Sequence, residues 1–192
     1  MTAMTPYLSV DEFQELKSNV PVLACATPAF RLRGFRNNDQ ERVDLMDQIR
    51  SSRVWERVSN VPNPYTMTDA IKWTLYASFN LAEPRFDFVI SVGGRLAGSI
   101  AFINIDYHKA QLSYWLGEEH QGKGIMVNAV KMITKFGFET CGFVRIWGYT
   151  HDGNIASQSV LQKAGFSFEG VHKKEWLKDN QYRDSHMYAI VR

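Results

Sequence analysis

The run Gln121-Gly122-Lys123-Gly124-Ile125-Met126 has the residue types and spacing to hold a phosphorylated ligand. Two glycines one residue apart let the main chain approach a ligand closely and aim its N–H groups at it. The run follows the strand-like stretch Gln111–Leu116 and opens an amphipathic pattern from Ile125 to about Phe138. The N-terminus of that helix adds partial positive charge at the same place, and Lys123 adds a full charge beside it. The chemistry this suits is the gripping of a diphosphate. Taken alone, the run also reads as a glycine turn leading into a helix, with no ligand.

Two common phosphate motifs are excluded. A P-loop needs four residues between its first glycine and a Gly-Lys-Ser/Thr ending, and the chain has no such run. A dinucleotide fingerprint starting at Gly122 needs a glycine at position 127, where Val127 stands, and an acidic residue about 20 residues on at a strand end.

The elements that must position this loop follow from patterning. Ala29–Arg33 alternates as a first strand, and Asn38-Asp39 is a cap for a helix carrying Val43, Met46, Ile49 and Val54. Val61–Tyr65, with two prolines, is a loop. Thr68 is the expected cap of a second helix with Ile71, Leu75 and Phe79 on one face, broken at Glu83-Pro84. Phe86–Val92 and Arg95–Ile105 are strands joined at Gly93-Gly94, a hairpin signal, and Gln111–Leu116 completes a meander. The helix after the loop carries Ile125, Ala129, Val130, Ile133 and Phe136 at buried-stripe spacing and closes at Cys141-Gly142. Phe143–Thr150 is a strand, Asn154 caps a short helix ending at Gly165, and Phe166–Glu169 and Ser185–Val191 are strands around the turn-rich Lys178-Asp179-Asn180. The order β-α-α-β-β-β-α-β-α-β-β predicts an α+β fold: a mixed, mostly antiparallel sheet of about seven strands flanked by about four helices.

Composition narrows the function classes. The chain has 192 residues, enough for one well-cored domain, with 45% apolar and 22% charged residues. A net charge of +2 with scattered Lys and Arg argues against nucleic acid or an anionic membrane surface as partner. No stretch approaches the ~20 apolar residues of a membrane helix. Residues 1–10 lack signal-peptide order, so a cytoplasmic location is expected. Cys25 and Cys141 stand alone, and the five histidines show no ligand spacing, so no metal is expected. Residues 1–28, with an amphipathic Val10–Lys17 and an apolar Val20–Ala26, read as an N-terminal extension to a domain spanning 29–192.

Four stretches in order carry a resemblance: Arg31-Leu32-Arg33 with the cap at Asn38-Asp39; Tyr114-Trp115-Leu116-Gly117 leading into Gln121–Met126; Asn154-Ile155-Ala156-Ser157 running to Lys163-Ala164-Gly165-Phe166; and Glu169-Gly170 with Tyr182-Arg183-Asp184 and Met187-Tyr188. From Phe30 to the end this resembles the GNAT acetyltransferase fold, and in detail its Rim-type subgroup, which acetylates N-termini of ribosomal proteins, and that subgroup's relatives acting on small amines. The broad family prefers glycine or alanine where Met126 sits, whereas the Rim-type subgroup tolerates methionine.

The resemblance implies an acetyl-CoA-dependent N-acetyltransferase. Backbone groups around Trp115 and Leu116 would bond the pantetheine arm like an added strand, and N–H groups of Gln121, Gly122, Lys123, Gly124, Ile125 and Met126 would hold the pyrophosphate. Asn154 is either a second clamp on pantetheine, an N-cap, or both. Glu175 matches the subgroup's general base, with a solvated glutamate paired to Lys173 or Lys174 as the alternative. Ser157 matches a hydroxyl that bonds the sulfur or a catalytic water, with a polar residue of the helix's first turn as the alternative. Tyr182 is a weaker candidate acid. His151-Asp152 looks like a base with its orienter, but adjacent residues seldom face each other and Asp152-Gly153 signals a turn. Trp55, Trp73, Tyr65 and Tyr76 read as packing beside the acceptor cleft.

The acceptor is a peptide N-terminal α-amine or a small amine such as a polyamine. Polyamine recognition would want converging carboxylates, and Asp44, Asp47, Glu56 and Asp69 are scattered. A coenzyme A-binding sensor without turnover is the competing class. Oligomeric state is left open, a homodimer included.

Overall fold

The strands are β1 (Leu23–Cys25), β2 (Phe30–Arg33), β3 (Phe86–Val92), β4 (Arg95–Asp106), β5 (Lys109–Leu116), β6 (Arg145–His151), β7 (Ser167–Lys178) and β8 (Gln181–Val191). They form one eight-stranded sheet in the order β1-β2-β3-β4-β5-β6-β8-β7, antiparallel throughout except for the parallel pair β5–β6. The helices are α1 (Val10–Ser18), α2 (Asp39–Ile49), α3 (Met67–Phe79), α4 (Ile125–Glu139) and α5 (Ile155–Lys163). This computed structural model describes residues 10–50, 54, 56, 61–79, 85–178 and 180–192. Trp55, Glu83-Pro84 and Asp179 lie outside the described residues.

The expected mixed, mostly antiparallel sheet is present, and local chemistry explains its elements. Asn38 caps α2, its Oδ1 accepting from the Glu41 N–H at 2.9 Å. Gly93 and Gly94 make the β3–β4 turn at φ +58° and +86°, where a β-carbon would be strained. The α4 stripe Ile125, Ala129, Val130, Ile133 and Phe136 is buried against Phe86, Phe88, Phe102 and Ile146 of the sheet. A second core covers the other face, with Leu45, Ile49, Val54, Tyr65 and Ala70 packed on Val89 and Leu96. Because α2 and α3 cover one face and α4 the other, β3 is buried along nearly its whole length.

Several local expectations shift. Thr66, not Thr68, caps α3: the Asp69 N–H donates to its Oγ1 at 3.4 Å, while the Thr66 N–H donates to Asp69 Oδ2 at 2.9 Å. On α3 the packed face is Ala70, Thr74 and Ala77, while Ile71 and Leu75 are exposed. The reason is size: small residues let the helix approach α2 and the sheet closely. The expected strand Phe166–Glu169 starts at Ser167 and continues as one long β7 to Lys178, with register shifts at Phe168/Gly170 and His172/Trp176. Leu23–Cys25 pairs with Phe30–Leu32, so part of the expected N-terminal extension adds an edge strand to the sheet.

Candidate active site

Strands β5 and β6 run parallel but pair only from Lys109↔Arg145 to Gln111↔Trp147. Beyond that, β5 continues to Leu116 along β4, and β6 continues to His151 along β8. The two diverge, leaving the main-chain edge of Ser113–Leu116 facing a gap instead of a neighbouring strand. A cleft of about 580 Å³ occupies this gap, within the range of small-molecule sites. Its walls come from the end of β5, the loop after it, the first turns of α4, and α5.

The loop between β5 and α4 is built to be open at its end. A β-carbon on Gly117 would displace the Gln48 side-chain amide of α2 and lie 3.2 Å from the Ala97 carbonyl oxygen, so glycine gives the loop its close approach to α2 and β4. The Gln121 side chain ties the loop back, its Nε2 donating to the Leu116 carbonyl at 2.8 Å. Gly122 and Gly124 then take positive φ, +74° and +76°. Gly124 is the N-cap of α4 in the left-handed region, so no side chain caps the helix. The first N–H groups of α4 have no partner within the helix and sit at its positive end beside the cleft. A β-carbon on Gly122 would meet nothing within 4 Å, so that space is free for a ligand.

Of the eleven residues expected at the site, nine line this cleft: Trp115, Leu116, Gln121, Gly122, Gly124, Ile125, Met126, Asn154 and Ser157. Lys123, between the two glycines, is exposed and does not line it. Glu175 does not line it either. It sits in the irregular part of β7, its side chain 44% exposed, with Oε2 3.7 Å from His172 Nδ1. In the alternative reading Glu175 pairs with Lys173 or Lys174; its ion-pair distance is instead to His172, and Lys173 Nζ lies 2.7 Å from Asp184 Oδ2.

The side chains of α5 point to the cleft in a fixed arrangement. Asn154 is an N-cap, its Oδ1 accepting from the Ser157 N–H at 3.3 Å. The Ser157 Oγ lies 2.8 Å from Tyr114 Oη, and the Ser157 carbonyl lies 3.3 Å from the same oxygen. Burial pushes Tyr114 above the ordinary tyrosine range. Sequence reasoning misses Tyr114 as a site residue. It stands 43 positions from Ser157, and alternation along β5 marks it only as an inward-facing residue beside Leu112 and Leu116. No local signal pairs the two hydroxyls.

The charge of the cleft has one sign. Among the described residues, its ionisable lining groups are Lys131, Lys163, His120 and Tyr114, with no Asp or Glu. The carboxylates considered for a cationic acceptor are engaged elsewhere or exposed. Asp44 is buried and bonded to the Arg95 guanidinium and the Leu96 N–H; burial favours its neutral form, but these bonds outweigh that and hold it below the usual carboxylate range. Asp69 caps α3 through Thr66, while Asp47 and Glu56 are exposed. An extended ligand with phosphate groups fits this lining: cations at the rim, an uncapped helix terminus, and a free strand edge.

His151 and Asp152 part company, as adjacent residues do. The His151 ring stacks on Trp176, with centroids 3.1 Å apart, while Asp152 Oδ1 lies 3.5 Å from His186 Nε2. Burial, with Lys178 and Arg183 nearby, lowers His151 to about 4, so its ring is neutral near pH 7. Of the aromatic residues expected at the acceptor cleft, Tyr65 is buried in the core under α2 and α3. Trp73 and Tyr76 flank the guanidinium of Arg85, which is bonded to Asp87. Their role is packing.

Comparison with known proteins agrees with this geometry. The family described as acetyltransferase (GNAT) domain matches residues 30–167. The chain is 26% identical over 184 residues to the ribosomal protein uS5-alanine N-acetyltransferase of Escherichia coli strain K12, covering 91% of this chain and 94% of that protein. It is 27% identical over 100 residues to the spermidine N(1)-acetyltransferase of the same strain, covering 51% of this chain and 54% of that one. Two Bacillus subtilis relatives are likewise spanned over only 62% and 55% of their length. Among solved structures, a ribosomal L7/L12 alpha-N-protein acetyltransferase in complex with coenzyme A superposes with a TM-score of 0.76 at 21% identity, over 89% of this chain and 98% of that one. That likeness shows the fold.

Proposed function

This chain belongs to the GNAT acetyltransferase family, and on that premise we propose that it moves an acetyl group from acetyl-coenzyme A to a primary amine, a peptide or protein N-terminal α-amine. The observation that carries the cofactor is the cleft itself: a strand edge left open by the β5–β6 divergence, ending at the uncapped N-terminus of α4. The solved neighbour with bound coenzyme A supports it.

The Ser113–Leu116 edge around Trp115 and Leu116 would bond the amide-bearing arm, and the N–H groups from Gln121 to Met126 would take the diphosphate. Lys131 and Lys163 stand at the rim to meet further phosphate charge. Asn154 keeps its capping bond to Ser157 and faces the cleft. When bound, the thioester supplies an acyl carbon that the neutral amine attacks, the C–N bond forming as the C–S bond breaks and the thiolate leaves. Glu175 takes the proton lost by the amine, and the Ser157 hydroxyl donates a hydrogen bond at the sulfur. Because Glu175 stands outside the cleft lining, its route to the amine runs through water or through an acceptor bound against β7.

The peptide reading is favoured over the polyamine reading by charge. A polyamine needs carboxylates around it, and the cleft lining has none among the described residues, while Asp44 and Asp69 are already engaged. An α-amine, with a pKa of about 8, also loses its proton more readily than a lysine-like amine at about 10.4. A relative spanned over 94% of its length acts, by its name, on a ribosomal-protein alanine. With this reading go a cytoplasmic location and the division into a 1–28 extension and a 29–192 acetyltransferase domain.

The test is thiol release from acetyl-CoA over a panel of synthetic peptides with free N-termini, their N-acetylated counterparts, spermidine and spermine. Turnover with free N-termini and none with the blocked peptides is expected. Faster turnover of the polyamines, lost at high salt, would replace the peptide reading. Tight acetyl-CoA binding with no thiol released from any amine would make the protein a sensor. With a working acceptor, Glu175→Gln and Ser157→Ala should each lower kcat between pH 6 and 9, and unchanged rates in both would remove those residues from the mechanism.

A further inference from the structure

We propose that Tyr114 is the positioning residue that makes the Ser157 hydroxyl a hydrogen-bond donor into the cleft. The inference rests on the reading of Ser157 given above. Three contacts fix Ser157 at the start of α5. Its N–H donates to Asn154 Oδ1 at 3.3 Å, its carbonyl is 3.3 Å from Tyr114 Oη, and its Oγ is 2.8 Å from that same oxygen. The main chain is therefore held by α5's own cap, and the hydroxyl is held by a residue from the sheet.

Tyr114 has one proton for two acceptors on the same residue. The 2.8 Å contact is the usual length for a hydroxyl–hydroxyl bond, whereas 3.3 Å to the carbonyl is long for one. The geometry favours Tyr114 O–H donating to Ser157 Oγ. The serine proton is then directed elsewhere, and the open side of Ser157 is the cleft it lines. A serine without this partner is free to turn its hydroxyl toward the carbonyl of the preceding turn, as serines in helices do. Tyr114 removes that option and polarises the O–H bond that faces the ligand.

Burial makes the tyrosine suited to the task. Tyr114 stands on β5 opposite Ile100, which is fully buried, and the partly buried tyrosine packs against the main hydrophobic core. The same burial pushes its ionisation above the ordinary tyrosine range, and it stays protonated across any working pH. It is a fixed donor rather than a proton source. No proton passes between Tyr114 and Ser157 in net terms, and no limb of a pH profile belongs to Tyr114.

The readout that isolates this role is the ionisation of the thiol of bound coenzyme A, followed by thiolate ultraviolet absorbance, which needs no acceptor. One hydrogen bond to a charged group moves such an ionisation by about 1–2 on the pH scale. In the unaltered protein the bound thiol should ionise at a pH lower by about 1 or more than that of free coenzyme A. Ser157→Ala should remove that difference, Tyr114→Phe should remove about the same amount, and the double variant should lose no more than either, because the two hydroxyls act together. Coenzyme A affinity measured where the thiol is neutral should change less than about twofold in Tyr114→Phe, which also shows that the variant is folded.

Ile100→Val loosens the packing under Tyr114 without touching its hydroxyl, and it should leave the thiol where it is. If Ser157→Ala moves the thiol but Tyr114→Phe does not, or if Ile100→Val moves it as far as Tyr114→Phe, the role of Tyr114 is refuted and that of Ser157 stands. If Ser157→Ala moves nothing, the serine reading falls and takes this inference with it.

Discussion

Replacing Gly122 by alanine separates strain in the phosphate loop from contact with a ligand. Gly122 has φ +74°, and a β-carbon built there meets nothing within 4 Å. Alanine at this position therefore clashes with nothing in the free protein and costs only the left-handed backbone strain, about 1–2 kcal/mol. For a chain of this size that is a melting temperature lower by roughly 2–8 °C. The strain is present with and without ligand, so it cancels from the binding constant.

What remains in the binding constant is what the methyl group and the shifted N–H do to the diphosphate. One lost hydrogen bond to a charged group, about 1.5–3 kcal/mol, weakens coenzyme A by roughly 10- to 100-fold. Calorimetric titration with coenzyme A, beside a thermal scan, measures both. Gly94→Ala is the control, because Gly94 has φ +86°, open space around it, and a place in the β3–β4 hairpin away from the cleft. It should lower the melting temperature similarly and leave affinity alone. If Gly122→Ala loses stability but binds coenzyme A within twofold of the parent, the loop is not the diphosphate cradle and the proposed function loses its main support.

Other perturbations probe the frame around the site. Asn154→Ala removes the α5 cap and should cost about 1 kcal/mol of stability, and a rise in the KM for acetyl-CoA beyond that of a cap-restoring Asn154→Asp would assign the side chain a second duty at the ligand. Gly137→Ala places a methyl 2.7 Å from Phe102 Cζ and 3.0 Å from Ile146 Cδ1, and should cost about 1–3 kcal/mol in thermal unfolding with coenzyme A affinity retained. His151, held neutral with its ionisation lowered to about 4, stabilises the fold fully above its unfolded value of about 6.5 and progressively less as pH falls from there toward 4. Urea midpoints at pH 7.5 and 5 should show that loss, and His151→Gln should reduce the slope. Lys131 and Lys163 are exposed at the cleft rim, so changing both to alanine should weaken coenzyme A most at low ionic strength and little in concentrated salt.

The conspicuous parts of the fold are legible because their signals are local. An Asn followed by a helical pattern marks the caps at Asn38 and Asn154, and both side chains accept the expected main-chain N–H. Paired glycines mark the β3–β4 turn, and the 3–4 spacing of Ile125, Ala129, Val130, Ile133 and Phe136 marks the buried face of α4. The same logic fails on α3, where Ile71 and Leu75 suggest a buried stripe. Helical spacing shows which residues share a face but not which face is covered, and the small Ala70, Thr74 and Ala77 won the contact.

The sequence by itself determined the loop that opens α4, since positive φ at two glycines and an uncapped helix terminus depend on neighbours within a few positions. It also determined the order of elements from β2 onward, and through its four motifs the family. Only the tertiary structure decided that β5 and β6 part after three paired residues, that Tyr114 and Ser157 share a hydrogen bond, that Asp44 is bound to Arg95, and that Glu175 stands on an exposed irregularity of β7. Most of those are contacts between segments tens of residues apart. They are fixed by how two sheet faces pack against helices, which no short window of residues encodes.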